Sequence, residues 1–247
     1  DIALLKSTSE ALSVVAYGLD WQSGDNVVIT DQEFPSNSIV WESLADKGVT
    51  VKIAPISGAD DPEKTILESI DSSTRLVSVS SVQYASGLRL DCKRLGEALK
   101  STDAMFCIDA IQSIGAVPFD VQEYQADFVA ADGHKWMLSA EGLAVFYTTR
   151  QARDKLKLQQ FGWHMVKHRG DYDRKDWEPT SSAMRFECGS PNMLGIYALN
   201  ASLSLLEEVG MANVSELLQD NIEYLIDHVQ TNNALTLLSP AVASRRG

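Results

Sequence analysis

Over the first 150 residues, short apolar runs alternate with longer stretches that are apolar on one side only. The short runs are DIALLK (1–6), DNVVIT (25–30), VTVKIAP (49–55), TRLVSVSS (74–81), AMFCIDA (104–110), ADFVAAD (126–132) and LAVFYTT (143–149). Each has strand length and is rich in β-branched residues, and turn-forming residues separate them. Between them TSEALSVVAYGL (8–19), SNSIVWESLADKG (36–48), DPEKTILESI (61–70) and DCKRLGEALKS (91–101) read as helices. Thr8 or Ser9 stands near the first N-cap, Pro62 opens the third helix, and Gly48 closes the second. Strands joined by helices predict an α/β protein with a mostly parallel sheet covered on both faces. Ligands in such sheets bind outside the carboxyl ends of the strands.

From about Asp154 the pattern changes. A long polar, aromatic-rich stretch runs to Asn192, and a loop of that length inside a domain is usually functional or mobile. His164, His168 and Arg169 within it are expected at the entrance of a cleft. MLGIYALNASLSLLEEVG (193–210) and VSELLQDNIEYLIDHVQTN (214–232) then read as helices, and TLLSPAVASRRG (236–247) as the approach to a further strand. The expected division is a large domain over residues 1–190, then a linking helix and the start of a small α+β domain over 191–247. Both ends read as internal to a longer chain.

Composition narrows the function. The 247 residues carry a formal charge of −13 without a basic stripe, which argues against a nucleic-acid partner. No apolar run has the length of a membrane span. The three cysteines, Cys92, Cys107 and Cys188, lack metal-binding spacing, and no spaced set of histidines and carboxylates suggests a metal. So sparse a set fits a reducing, cytoplasmic setting.

Four local features fall at strand ends or helix starts. STSEAL (7–12) offers hydroxyls and free amides that suit a phosphate or simple capping. Asp109, ending the run FCID, is either a loop cap or a carboxylate for a ligand, with Gln112 one turn away. In DGHKW (132–136), Lys135 is either a solvated lysine or an amine able to form a Schiff base. MRFECGSPN (184–192) is either a structural turn or a polar binding loop. Taken together, an anion seat, a carboxylate able to pair a protonated ring nitrogen, and a reactive lysine are the needs of pyridoxal 5'-phosphate.

On these motifs, above all CIDAIQSIGAVPFDVQEYQADFVAADGHKW and MRFECGSPN, the chain resembles the class V aminotransferase family of fold-type I pyridoxal-phosphate enzymes. The resemblance implies that fold, with a seven-stranded type of sheet, and a homodimer with shared active sites. It implies that Lys135 is the Schiff-base lysine and that His134 contacts the phosphate. Asp109 would lie at the pyridine nitrogen and Gln112 near the ring hydroxyl. Thr8 and Ser9 would form the first phosphate loop, Gln83 would lie near ring and substrate, and Ser190 would reach the phosphate of the neighbouring subunit. Phe34, in EFPSN, stands where the desulfurase pattern has a ring-facing histidine; it can stack but cannot move a proton. Asp132 stands where a phosphate-donating serine is usual. A catalytic cysteine and a carboxylate-binding arginine would fall beyond residue 247. The implied activity is transamination or related α-carbon chemistry on a small amino acid, through an external aldimine and a quinonoid. The alternatives are a cysteine desulfurase or selenocysteine lyase, and a catalytically inactive scaffold.

Overall fold

The computed structural model describes residues 1–247. Seven strands form one sheet: β1 (Ile2–Leu5), β2 (Asn26–Thr30), β3 (Thr50–Ala54), β4 (Thr74–Ser80), β5 (Met105–Asp109), β6 (Phe128–Asp132) and β7 (Ala144–Thr148). Their spatial order is β1-β7-β6-β5-β4-β2-β3. From β3 to β6 every pairing is parallel, while β7 runs antiparallel to both β6 and β1. The helices are α1 (Thr8–Gly18), α2 (Ser36–Glu42), α3 (Pro62–Glu68), α4 (Cys92–Leu99), α5 (Arg150–Lys155), α6 (Met193–Val209) and α7 (Met211–Thr231). None is long and apolar enough to cross a membrane.

Alternation along the strands shows why helices cover both faces. Val27 and Ile29 join one apolar cluster and Val28 the other; Phe128 and Ala130 join the first, Val129 and Ala131 the second. Successive side chains of a strand point to opposite faces, so these runs are apolar on both sides. The first cluster includes Leu12 and Trp41 of α1 and α2, and the second includes Ile66 and Leu95 of α3 and α4.

Three stretches differ from expectation. The 36–48 helix stops at Glu42, and a 3-10 turn over Ala45–Lys47 leads into Gly48 at φ 76. A residue other than glycine rarely adopts that backbone, so the chain turns there. Helix α5 fills the interval between the last strand and the irregular stretch, where no element was expected; the Thr149 side chain caps it by accepting from the Ala152 amide. The tail at 236–247 is not a strand. Its apolar positions Leu238 and Val242 face solvent, 84% and 62% exposed, so no sheet face selects them. Instead Arg246 is buried, donating to Gln219, Glu223 and the Ala241 carbonyl.

One backbone contact joins the two loops that follow β5 and β6. Gly115 has φ +96, and a Cβ there would stand 2.2 Å from the Trp136 carbonyl oxygen. Gly115→Ala is therefore expected to destabilise the protein by at least roughly 1–3 kcal/mol from backbone strain alone. Chemical denaturation checks this; an unchanged unfolding midpoint would show that the loops do not need the contact.

Candidate functional site

The carboxyl ends of β4, β5 and β6 and the start of α1 surround a cavity of about 200 Å³. Seven of the nine residues singled out from the sequence line it: Thr8, Ser9, Phe34, Asp109, Gln112, His134 and Lys135. Asp109 ends β5 and Asp132 ends β6, and the parallel pairing of the two strands sets both at the same edge. Lys135 follows three residues later on a tight turn. That turn is closed by the Ser139 amide donating to the Gly133 carbonyl and the Leu138 amide to the Lys135 carbonyl.

Asp109 is 2% exposed, and its carboxylate accepts from the Ile111 amide at 3.0 Å. Burial pushes its carboxyl up to about 7; the Ile111 bond pulls the other way, Glu33 adds to the rise, and Lys135 opposes it. Lys135 is half-buried and makes no salt bridge; its Nζ lies 5.8 Å from the centre of the Phe34 ring. Gln112 is fixed through its carbonyl oxygen, which accepts from the Trp136 indole at 3.1 Å. At the start of α1, Ser7 caps the helix by accepting from the Glu10 amide, and the Thr8 amide donates to Asp132 at 3.1 Å. The Thr8 hydroxyl is buried without a partner. The Ser9 hydroxyl lies 2.8 Å from that of Ser36.

Gln83 does not line the cavity. It is 1% exposed and donates to Thr30 and Glu33 inside the wall. Its neighbour Tyr84 faces the cavity, with its ring edge-on to Phe34 at 5.2 Å between centres. Ser80, Val82 and Tyr84 line the cavity while Ser81 and Gln83 do not, a continuation of the strand's two-residue period past its end. That period was the available signal for Tyr84. Ser190 is exposed and lines a different cavity, with Glu187, Cys188 and Asn192.

The residues expected at a cleft entrance also lie elsewhere. His164 is buried, its Nδ1 3.2 Å from the Glu187 carbonyl oxygen and its Nε2 2.5 Å from Arg169 Nη1. Neither it nor His168 lines the cavity. Cys92 and Cys107 are core residues, and burial pushes both thiols up.

Glu33 was not foreseen. Its carboxylate accepts from the Thr30 hydroxyl, the Asn37 amide group, the Ser80 amide and hydroxyl, and the Gln83 side chain. One side chain thereby fastens the loop bearing Phe34 to the strand end bearing Tyr84.

The profile of the family described as Aminotransferase class-V matches residues 1–247. A probable cysteine desulfurase of Methanothermobacter thermautotrophicus is 32% identical over 218 residues, which is 87% of this chain and 54% of that protein. An uncharacterized aminotransferase of Bacillus subtilis, YcbU, is 31% identical over 87% of this chain and 56% of its own length. The apo structure of a cysteine desulfurase from Thermococcus onnurineus NA1 superposes with a TM-score of 0.85 at 26% identity, covering 100% of this chain and 61% of that one. The chain thus spans a little over half the length of these relatives.

Burial of Asp109 has a measurable consequence. Its carboxyl is raised from 3.8 to about 7 in the fold, so between those values the folded state holds a proton that the unfolded state has lost. Stability contributed by this group therefore falls as pH rises from about 4 to 7. In cofactor-free protein, Asp109→Asn should match the native chain at pH 4 and exceed it above pH 7, by at most about 4 kcal/mol. Denaturation curves across that range test it; a pH-independent difference would mean the carboxyl is not perturbed.

Proposed function

The chain belongs to the Aminotransferase class-V family, and on that premise we propose that it forms the cofactor-binding part of a pyridoxal 5'-phosphate enzyme acting at the α-carbon of a small amino acid. The observation that carries this reading is that Lys135 and Asp109 line one cavity, the carboxyl buried and without a cation bound to it. A carboxylate so placed suits the protonated nitrogen of a heterocycle. The partnerless Thr8 hydroxyl and the start of α1 suit a phosphate at the other end. The residues present therefore fit the cofactor.

When bound, the cofactor supplies an aldehyde for amines and a sink for the electron pair released at the α-carbon. The chain's own groups divide the remaining work. Lys135 offers the amine and moves protons to and from the α-carbon. Asp109 keeps the ring nitrogen protonated. Thr8, Ser9 and His134 would hold the phosphate, and Gln112, steadied by Trp136, would lie near the ring. Phe34 would give an aromatic face and no proton, so proton transfer would fall to Lys135. Gln83 contributes through Glu33 and not by contact.

Transamination or related α-carbon chemistry is the leading activity, acting in a cytoplasmic homodimer. The exposed Ser190, which does not line this cavity, supports a role across a subunit boundary. Residues 1–190 serve as the large domain and 191–247 as the link to a smaller one; all seven strands end by Thr148, which supports that division. A second reading, cysteine desulfurase, is favoured by the names of relatives. None of the three cysteines lines the cavity, so that chemistry needs a thiol from outside this chain's 247 residues.

The whole protein with added pyridoxal phosphate should absorb visible light, and borohydride should fix the cofactor on Lys135. Lys135→Ala should abolish both signals. A colourless native protein would leave the scaffold alternative standing. Incubation with amino acids and a keto acid separates amino transfer from release of sulfide out of cysteine.

A further inference from the structure

Asp132 is a buried carboxylate that the reading above does not use. It ends β6, is 8% exposed, and makes no salt bridge; the one hydrogen bond to its carboxylate comes from the Thr8 amide at 3.1 Å. Beside it the Thr8 hydroxyl is buried with no partner, and both residues line the cavity with Asp109, His134 and Lys135. The first turn of α1 carries the partial positive charge of a helix start. In this chain an internal carboxylate already sits on it. A phosphate ester brought to the same turn carries close to two negative charges and meets a third.

We propose that Asp132 sets the affinity of this cavity for the phosphate group, holding the Thr8 amide while opposing the phosphate charge. The inference rests on the cofactor reading above. Its consequence is a site that holds its phosphate-bearing ligand less tightly, and releases it more readily, than the same site with a neutral side chain would. A carboxylate only 8% exposed is screened less than one in solvent, so removing its charge should be felt directly in binding. A neutral side-chain oxygen can also accept from the Thr8 amide, so the hydrogen bond and the charge can be tested separately.

Asp132→Asn separates these two roles. Its side-chain oxygen can still accept from the Thr8 amide, and only the charge is lost. In the full-length protein, pyridoxal phosphate binding is titrated by visible absorbance and by tryptophan fluorescence, since Trp136 lies beside Lys135. The variant is expected to bind roughly tenfold more tightly than the native chain. Inorganic phosphate alone should raise its melting temperature more than that of the native protein. Asp132→Ser serves as a second neutral variant should the asparagine form fold poorly, and the same direction is expected. Equal or weaker binding in a folded neutral variant overturns the proposal while leaving the cofactor reading intact. Absence of any cofactor absorbance in native and variant alike overturns the cofactor reading and this inference with it.

Discussion

A carboxylate taken out of water without a cation is the constraint around which this molecule is arranged. Asp109 is held at the end of a central strand, between β4 and β6, with one backbone amide as its donor. An isolated buried charge is costly, and the group answers by keeping its proton to higher pH. Packing over both faces of the sheet offsets that cost: Val77 and Val79 of β4 and Val129 and Ala131 of β6 join one apolar cluster, Leu76 and Phe128 the other. The energetic burden sits where the parallel strands open, and a cationic ligand delivered there would relieve it.

The aromatic wall opposite depends on a different device. Phe34 and Tyr84 come from separate loops, and their edge-on contact exists because Glu33 gathers donors from both. The polar chain continues inward: Asn37 donates to Glu33 and accepts from the Trp41 indole and the Ser78 hydroxyl. Such a network stabilises most when each member is satisfied, and here the Gln83 carbonyl oxygen is the buried member left without a partner. It ties the wall to the sheet while the two ring-bearing residues stay 44% and 51% exposed.

Alternation and strand length made the sheet legible in the sequence, because they report burial on two faces. The joint spacing of Asp109, Gln112, His134 and Lys135 made the site legible, because consecutive parallel strands deliver their ends to one edge. Gln83 lies inside the wall beside the cavity: spacing located the segment, but only the side-chain period past β4 shows that Tyr84 turns inward. Glu33 was invisible because its donors lie up to 50 residues away in sequence. The tail misled because its apolar residues suggested a strand, whereas a buried Arg246, paired to Glu223, decides its path. Long-range polar contacts of this kind leave no local pattern.

That tail also links distant parts of the molecule. Arg246 grips α7 through Glu223 and Gln219, and the same residue bridges to Leu88 on the segment leaving β4. Gly247 rests against Val82, a residue of the cavity wall. One guanidinium thus fastens the long C-terminal helix to the segment that supplies Val82 and Tyr84 to the cavity wall, so support for that wall comes from residues more than a hundred positions further along the chain.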